Sequence, residues 1–448
     1  MFCAPFPDNR TNLYNTQEEK MLYKNYFDQL RQAIPLLMKE RDIPGFSISV
    51  CDKEKIIFSD TYGFTDLSKN IPVTSTTQFS LQSISKTYTA FGFMLAVQDG
   101  KVSLDDPVKK YVPDFCVRHR DGEDYSASIT FRQCLTHRTG LKREAPIGSN
   151  YVYSGTFDEH IKSINGTFLR FKPGEQYSYS NLGFDLAAYA LGKIYNMPFE
   201  EYMLQKVFAP LEMANSTYRQ DDYLMRVDSA VGHDKKSLVK YPAMMIGAAG
   251  MYSCPDDMTR FIRCFLNQGV YNGQRIINQE ILEQMYNEYP PSEDWLYNFG
   301  LVAGLRNGLT ILNHGGSGFG FRTTLDIVLD RGFGAAAVTN ADGHNDIQLT
   351  IVRWNIWDDL FALQDAKKDD CEPVPDSYKS LIGLYETKRF NGDSWKLAVI
   401  PRNGDIYCNY EKLENHSNKL FFNGNNDCIE FVENGMIYDN VTLFKHGK

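Results

Sequence analysis

Three short polar stretches could do chemistry together: Ser83-Ile84-Ser85-Lys86, Tyr179-Ser180-Asn181 and His314-Gly315-Gly316. Residues three apart on a helix share a face, so a helical 83–86 sets the Lys86 amine beside the Ser83 hydroxyl. A serine hydroxyl is a weak nucleophile until a neighbouring base or relay takes its proton. In this order the three sets could supply a nucleophile, a base and an anion-stabilising strand, which is the pattern of a hydrolase. Each alone is cheap, because Ser-x-x-Lys recurs at Ser237 to Lys240 and Tyr-x-Asn recurs at Tyr23, Tyr407 and Tyr438. The surrounding elements therefore carry the weight.

Strands are expected before the Ser83 segment, over 45–50 and 55–62, with a turn at Asp52-Lys53. After it, Tyr88, Ala90, Phe91, Met94 and Leu95 form a helical face that stops at Gly100. Ser83 is then expected in the first turn of a buried helix. Upstream, residues 16–40 pattern as an amphipathic helix that Pro35 should kink. From about 105 to 290 the chain reads as an all-helical insertion, and four apolar runs over 299–305, 309–314, 322–329 and 334–340 read as a returning antiparallel sheet, with His314 ending one strand. A helix over about 345–363 closes this unit. The expected organisation is one domain over 1–365, a charged, proline-bearing linker over 366–377, and a small antiparallel β domain over 378–448, where turns fall at Asn403-Gly404 and Asn434-Gly435.

With 43% hydrophobic, 13% aromatic and 23% charged residues, the chain has a globular profile. A net charge of -9 and the lack of any Lys/Arg-rich run argue against nucleic acid. No run of 18 apolar residues and no basic-then-apolar leader occurs, so neither a membrane partner nor secretion is expected. The nine cysteines are scattered and form no Cys-x-x-Cys, which reads as reduced thiols in the cytoplasm. The eight dispersed histidines include no His-Glu-x-x-His, so neither a metal nor another cofactor is expected. The partners expected are a small molecule or short peptide, with homo-oligomerisation left open.

With those contexts, residues 43 to about 340 resemble the class C β-lactamase-related serine hydrolases, a family that also holds DD-peptidases, D-aminopeptidases and esterases. The resemblance is carried by 43–45, 79–86, 100–107, 129–140, 177–183, 210–213, 250–253 and 314–316, and it spans about two thirds of the chain. It implies an α/β (α+β) fold of the β-lactamase/transpeptidase type, an antiparallel sheet flanked by helices. The tail resembles, by pattern alone, the lipocalin-like β-barrel appended to some of these hydrolases.

The resemblance implies Ser83 as the acylated nucleophile, Lys86 as its neighbour, and Tyr179 as base and later acid. A tyrosine titrates near ~10 in water, and a phenolate facing Lys86 is expected to form more readily than that. Asn181 would orient Lys86 and the substrate amide, and the backbone N–H groups of Ser83 and Ser317 would form the oxyanion hole, each donor contributing roughly 3 kcal/mol. Gly315, Gly316, Gly318 and Gly320 would admit the substrate backbone. β-Lactamases usually carry Lys-Thr-Gly where this chain has His314-Gly315-Gly316, so poor β-lactam turnover is expected and amide or ester hydrolysis favoured. A β-lactamase or DD-peptidase proper is the alternative within the family, and a catalytically silent binding or self-assembling scaffold the alternative outside it. Arg322 could supply substrate carboxylate binding instead, or simply point to solvent. Tyr151, Tyr153, Tyr252 and Phe319 could line an acyl pocket or belong to the core, and Tyr252 and Phe319 are retained because they sit in motif-bearing loops. His137 is expected to bond a loop at a helix end.

Overall fold

The computed structural model describes residues 23–148, 155–234, 237–239, 245–341, 347–349, 351–352, 356–365, 372–388, 394–408, 411–417, 420–422, 428–438 and 441–446. Tyr151 and Tyr153 lie outside the described residues, as do the first half of the expected linker and the start of the expected first helix. The chain forms two compact units, Ile43–Val352 and Met1–Asp42 with Arg353–Lys448.

The larger unit is built on eight strands: β1 Gly45–Cys51, β2 Ile56–Asp66, β3 Ile71–Pro72, β4 Leu296–Tyr297, β5 Val302–Arg306, β6 Leu309–Gly318, β7 Phe321–Val328 and β8 Phe333–Thr339. Their order is β4-β5-β6-β7-β8-β1-β2-β3, with antiparallel ladders between neighbours. The two ends of the unit meet at the β8–β1 ladder, where Phe46 pairs with Thr339 and Cys51 with Gly334. Every residue of β1 and β8 is buried; β8 reads as a continuous small and apolar run, whereas β1 alternates Phe46, Ile48 and Val50 with the small Ser47 and Ser49.

The expected strand end at His314 is corrected, because β6 runs on to Gly318 and the chain turns at Phe319 and Gly320, with φ of +51° and +79°. Two successive left-handed residues are the geometry of a two-residue hairpin turn. The insertion is not all-helical either. Short ladders join 79–80 to 252–253, 118–119 to 168–169, 232–234 to 237–239 and 270–271 to 274–275. The first of these anchors the segment that leads into Ser83.

In the other unit, helix α1 (Lys24–Glu40) continues through Pro35 and packs on the strand Ser394–Arg402, where Glu40 accepts the Ala398 N–H at 2.8 Å. Asp359, in the helix Trp357–Asp365, makes a two-pronged pair with Arg402 at 2.8 and 2.9 Å. These contacts move the boundaries to 42/43 and 352/353, away from the expected 365 and 378. The nine-stranded antiparallel sheet here has Glu411–Lys412 at one edge and Glu414–Ser417 at the other. Only Leu413 separates these edges in sequence, so the sheet must curl. Among the described residues no ladder pairs the two, and the expected barrel is a curled half-barrel around Leu397, Val399, Ile429 and Phe431.

Candidate active site

Ser83 lies in a single 3₁₀ turn, Gln82–Ile84, that runs directly into helix α2 (Ser85–Gln98). Residues 85–96 of α2 are all buried, as expected for a helix apolar on nearly every side. Lys86 is its only charged residue, and its side chain is fully enclosed. The Lys86 Nζ donates to Ser83 Oγ at 3.2 Å and to the Ala248 carbonyl oxygen at 2.9 Å. Burial of the ammonium brings this amine down from 10.5 to about 7, with Asp185 opposing, Arg143 assisting and Glu144 opposing. Ser83 itself is half-buried, so it can be reached from outside.

Tyr179 completes the triangle. Lys86 Nζ stands 4.8 Å from the centre of its ring, and Ser83 is near enough to its hydroxyl to act on it. Burial pushes the Tyr179 hydroxyl up to about 12, more than the nearby Ser83 and the Arg143 charge bring it down. The expected easy phenolate is therefore corrected: desolvation of the anion outweighs the attraction of a lysine that is itself partly neutral.

The 178–181 segment owes its position to the loop that follows the short helix Phe131–Leu135. His137 accepts the Ser178 N–H through its carbonyl and the Ser180 N–H through Nδ1, at 2.9 and 3.1 Å. Ser180 donates its hydroxyl to the Lys142 carbonyl at 2.6 Å, and the Asn181 N–H donates to the Arg143 carbonyl at 2.9 Å. Helix α3 (Asn181–Tyr195) starts there. The Asn181 side chain donates to Met245 Sδ at 3.4 Å. Lys86 is thus steadied by the Ala248 carbonyl, where the sequence suggested Asn181.

On the sheet side, the 82–84 turn packs against β6 and β7. A Cβ on Gly316 would stand 2.1 Å from the Leu81 carbonyl oxygen and 2.2 Å from Thr323 Oγ1. Gly316 thus admits the protein's own backbone, which corrects the expected role toward substrate. The close approach carries Ser317, exposed on β6, past the nucleophile segment. The β5–β6 ladder ends at Asn313, whereas β6 stays paired with β7 through Gly318. Arg322 is half-buried opposite Ser317 in that ladder, and Phe319 is half-buried in the turn.

His314 is buried, with Nδ1 2.7 Å from the Gly315 carbonyl oxygen and Nε2 3.0 Å from the Tyr297 hydroxyl. Tyr297 in turn meets the Tyr179 ring edge-on at 6.0 Å and the His137 ring at 4.3 Å. Tyr297 escaped the sequence reading because an isolated aromatic in an apolar run carries no motif. Tyr252 is 1% exposed and stacks on Tyr223 with ring centres 3.9 Å apart, so it belongs to the core and not to a pocket. Ser83, Lys86, Tyr179, Gly316 and Ser317 are brought together, whereas Tyr252 is not.

Among the described residues no three His, Cys, Asp or Glu side chains group as metal ligands, and no helix is long and apolar enough to cross a membrane. The arrangement offers a serine with a partly neutral amine on one side, a protonated phenol on another, and a glycine-bearing strand alongside. The family model described as Beta-lactamase matches residues 30–353. Among curated proteins, the chain is 25% identical over 237 residues to "Protein flp" of Staphylococcus aureus (strain MW2), covering 51% of this chain and 47% of that one. It is 30% identical over 221 residues to "Beta-lactamase-like protein 4" of Dictyostelium discoideum, covering 46% and 38%. The chain spans about half the length, or less, of these curated relatives. Among solved structures, the octameric penicillin-binding protein homologue from Pyrococcus abyssi superposes with a TM-score of 0.63 at 22% identity, over 94% of this chain and 98% of that one.

Proposed function

Since the chain belongs to the beta-lactamase family, we propose that it is a serine hydrolase that forms an acyl-enzyme on Ser83 and cleaves amide or ester bonds of small peptides or esters. One observation carries this reading: an enclosed Lys86 amine brought down to about 7, at 3.2 Å from a reachable serine hydroxyl. Near neutral pH a large fraction of that amine is unprotonated and able to accept the Ser83 proton, whereas Tyr179 keeps its own.

In acylation, Ser83 Oγ adds to the substrate carbonyl carbon as its proton moves to the neutral Lys86 amine. The carbonyl oxygen becomes an oxyanion, for which the backbone N–H groups of Ser83 and Ser317 are the proposed donors. The Tyr179 hydroxyl gives its proton to the leaving nitrogen or oxygen and takes one from the Lys86 ammonium, so the phenolate is never long-lived. The leaving group departs and an ester remains on Ser83. A water then repeats the sequence in reverse and releases the acid. Asn181, Phe319 and Arg322 are proposed to contact substrate, with Arg322 receiving a carboxylate.

Incubation with a fluorophosphonate, followed by intact mass and peptide mapping beside Ser83→Ala, tests this directly. A single adduct on Ser83 that the variant lacks is expected. A folded protein without an adduct refutes the reading in favour of a silent scaffold. Nitrocefin compared with D-amino-acyl and p-nitrophenyl ester substrates separates the family alternatives, and the His314-Gly315-Gly316 sequence leads us to expect faster turnover of the latter two. By analogy with the octameric Pyrococcus abyssi protein we also propose self-association, which light scattering would report.

A further inference from the structure

His160 and Asp185 have no part in the chemistry described so far, yet both side chains are completely buried. His160 Nδ1 stands 2.6 Å from the Ile147 carbonyl oxygen and Nε2 stands 3.0 Å from Asp185 Oδ2. A carbonyl and a carboxylate only accept hydrogen bonds. With Asp185 ionised, both ring nitrogens carry protons and the pair is an imidazolium facing a carboxylate. The other Asp185 oxygen accepts the Ala248 N–H at 3.0 Å, and the Ala248 carbonyl accepts from Lys86 Nζ at 2.9 Å. A continuous line of hydrogen bonds thus runs from Ile147 through His160, Asp185 and the Ala248 residue to the amine beside Ser83.

We propose that the buried His160–Asp185 pair positions the Lys86 amine and that His160 weakens the pull of the Asp185 carboxylate on it, which rests on the assignment of Lys86 as the base for Ser83. An uncompensated Asp185 would hold Lys86 protonated and unable to accept a proton. With the imidazolium behind it, the carboxylate's charge is partly offset and its oxygens are occupied, so the pull of Asp185 on Lys86 is weaker than the burial that lowers the amine. A buried ion pair is a poor source of stability, because its desolvation offsets its attraction. A role in tuning a neighbour gives it a reason to be there.

The other charged or titratable groups facing Lys86 are Arg143 and Glu144 from the loop after the 131–135 helix, together with His137 and Tyr179. Glu144 also faces His160. Glu144 is shared by both groups, so the Asp185→Asn and double variants are needed to separate its effect from that of the pair. His160 is net raised from its ordinary value, since burial lowers it but Asp185 and the Ile147 carbonyl together raise it more.

The test is the rate of Ser83 acylation by a fluorophosphonate from pH 5 to 9 in wild type, His160→Gln, Asp185→Asn and the double variant. His160→Gln is expected to move the acid limb up by about one pH unit, slowing the reaction about tenfold at pH 6 and far less at pH 9. Asp185→Asn is expected to move it down, and the double variant to fall between the two. Profiles that keep the wild-type shape and are only scaled at every pH overturn the proposal. Should a variant fail to fold, the histidine ring nitrogen spectrum of wild type decides: His160 doubly protonated at pH 7 supports the pair, and a singly protonated ring overturns it. Absence of any Ser83 adduct in wild type would instead refute the assignment of the base, which the Ser83→Ala control distinguishes.

Discussion

Replacing Lys86 by Met should abolish acylation and yet make the protein more stable in mild acid. Lys86 is fully buried and titrates at about 7 in the folded chain, against 10.5 for an ordinary lysine. At about 1.36 kcal/mol per unit, that gap is ~5 kcal/mol. Between those two values the unfolded chain binds a proton that the folded chain has released, so wild-type stability rises as pH climbs from 7 toward 10.5. Below pH 7 both states are protonated and the whole cost of burying the ammonium is borne by the fold. Methionine fills a similar volume without charge, but it leaves the Ala248 carbonyl without its Lys86 partner, a loss of about 1–2 kcal/mol. The net expectation is a gain of ~3 kcal/mol at pH 6 that vanishes, and reverses in sign, by about pH 10. Urea unfolding at pH 6, 8 and 10, with fluorophosphonate labelling alongside, measures both effects. A variant less stable than wild type at pH 6, or a difference that does not change with pH, would refute the depressed lysine and with it the argument for Lys86 as base.

In wild type, the same titration should give an acylation rate that rises tenfold per pH unit below about pH 7 and levels above it, because only the neutral amine accepts the Ser83 proton; a flat profile from pH 5 to 8 contradicts this. Tyr179→Phe should fold normally and slow acylation by about 10²-fold or more, on the scale of a lost general acid, as stopped-flow labelling would record. Gly316→Ala should fold less stably and label slowly, since its methyl group collides with the Leu81 carbonyl and Thr323; a variant with wild-type melting temperature and rate would show that the Leu81–β6 approach is not required. Tyr297→Phe removes the hydrogen bond to His314 Nε2 and should shift the His314 ring resonance while leaving the fold intact, which histidine NMR would detect.

Much of this protein was legible in its sequence because the signals were local. The 83–86 spacing set Lys86 beside Ser83 by helical geometry alone, and the buried strand β8 announced itself as an unbroken small and apolar run. Motif order then proposed Ser83, Tyr179 and His314 as one set, of which Ser83 and Tyr179 both stand beside Lys86. What required the folded chain was every property that depends on enclosure or on distant neighbours. Burial decides that Lys86 falls to about 7 and that Tyr179 rises to about 12, which is why Lys86 and not Tyr179 is the proposed base. Gly316 is needed for a backbone 235 positions away, at Leu81. Asp185, a lone carboxylate in an apolar helix, did carry a sequence signal, since such a group must be paired when buried. Its partner His160 stands 25 residues earlier on another helix, and no periodicity links the two. Local spacing is written in the chain, whereas desolvation and long-range pairing exist only once the chain has closed around its charges.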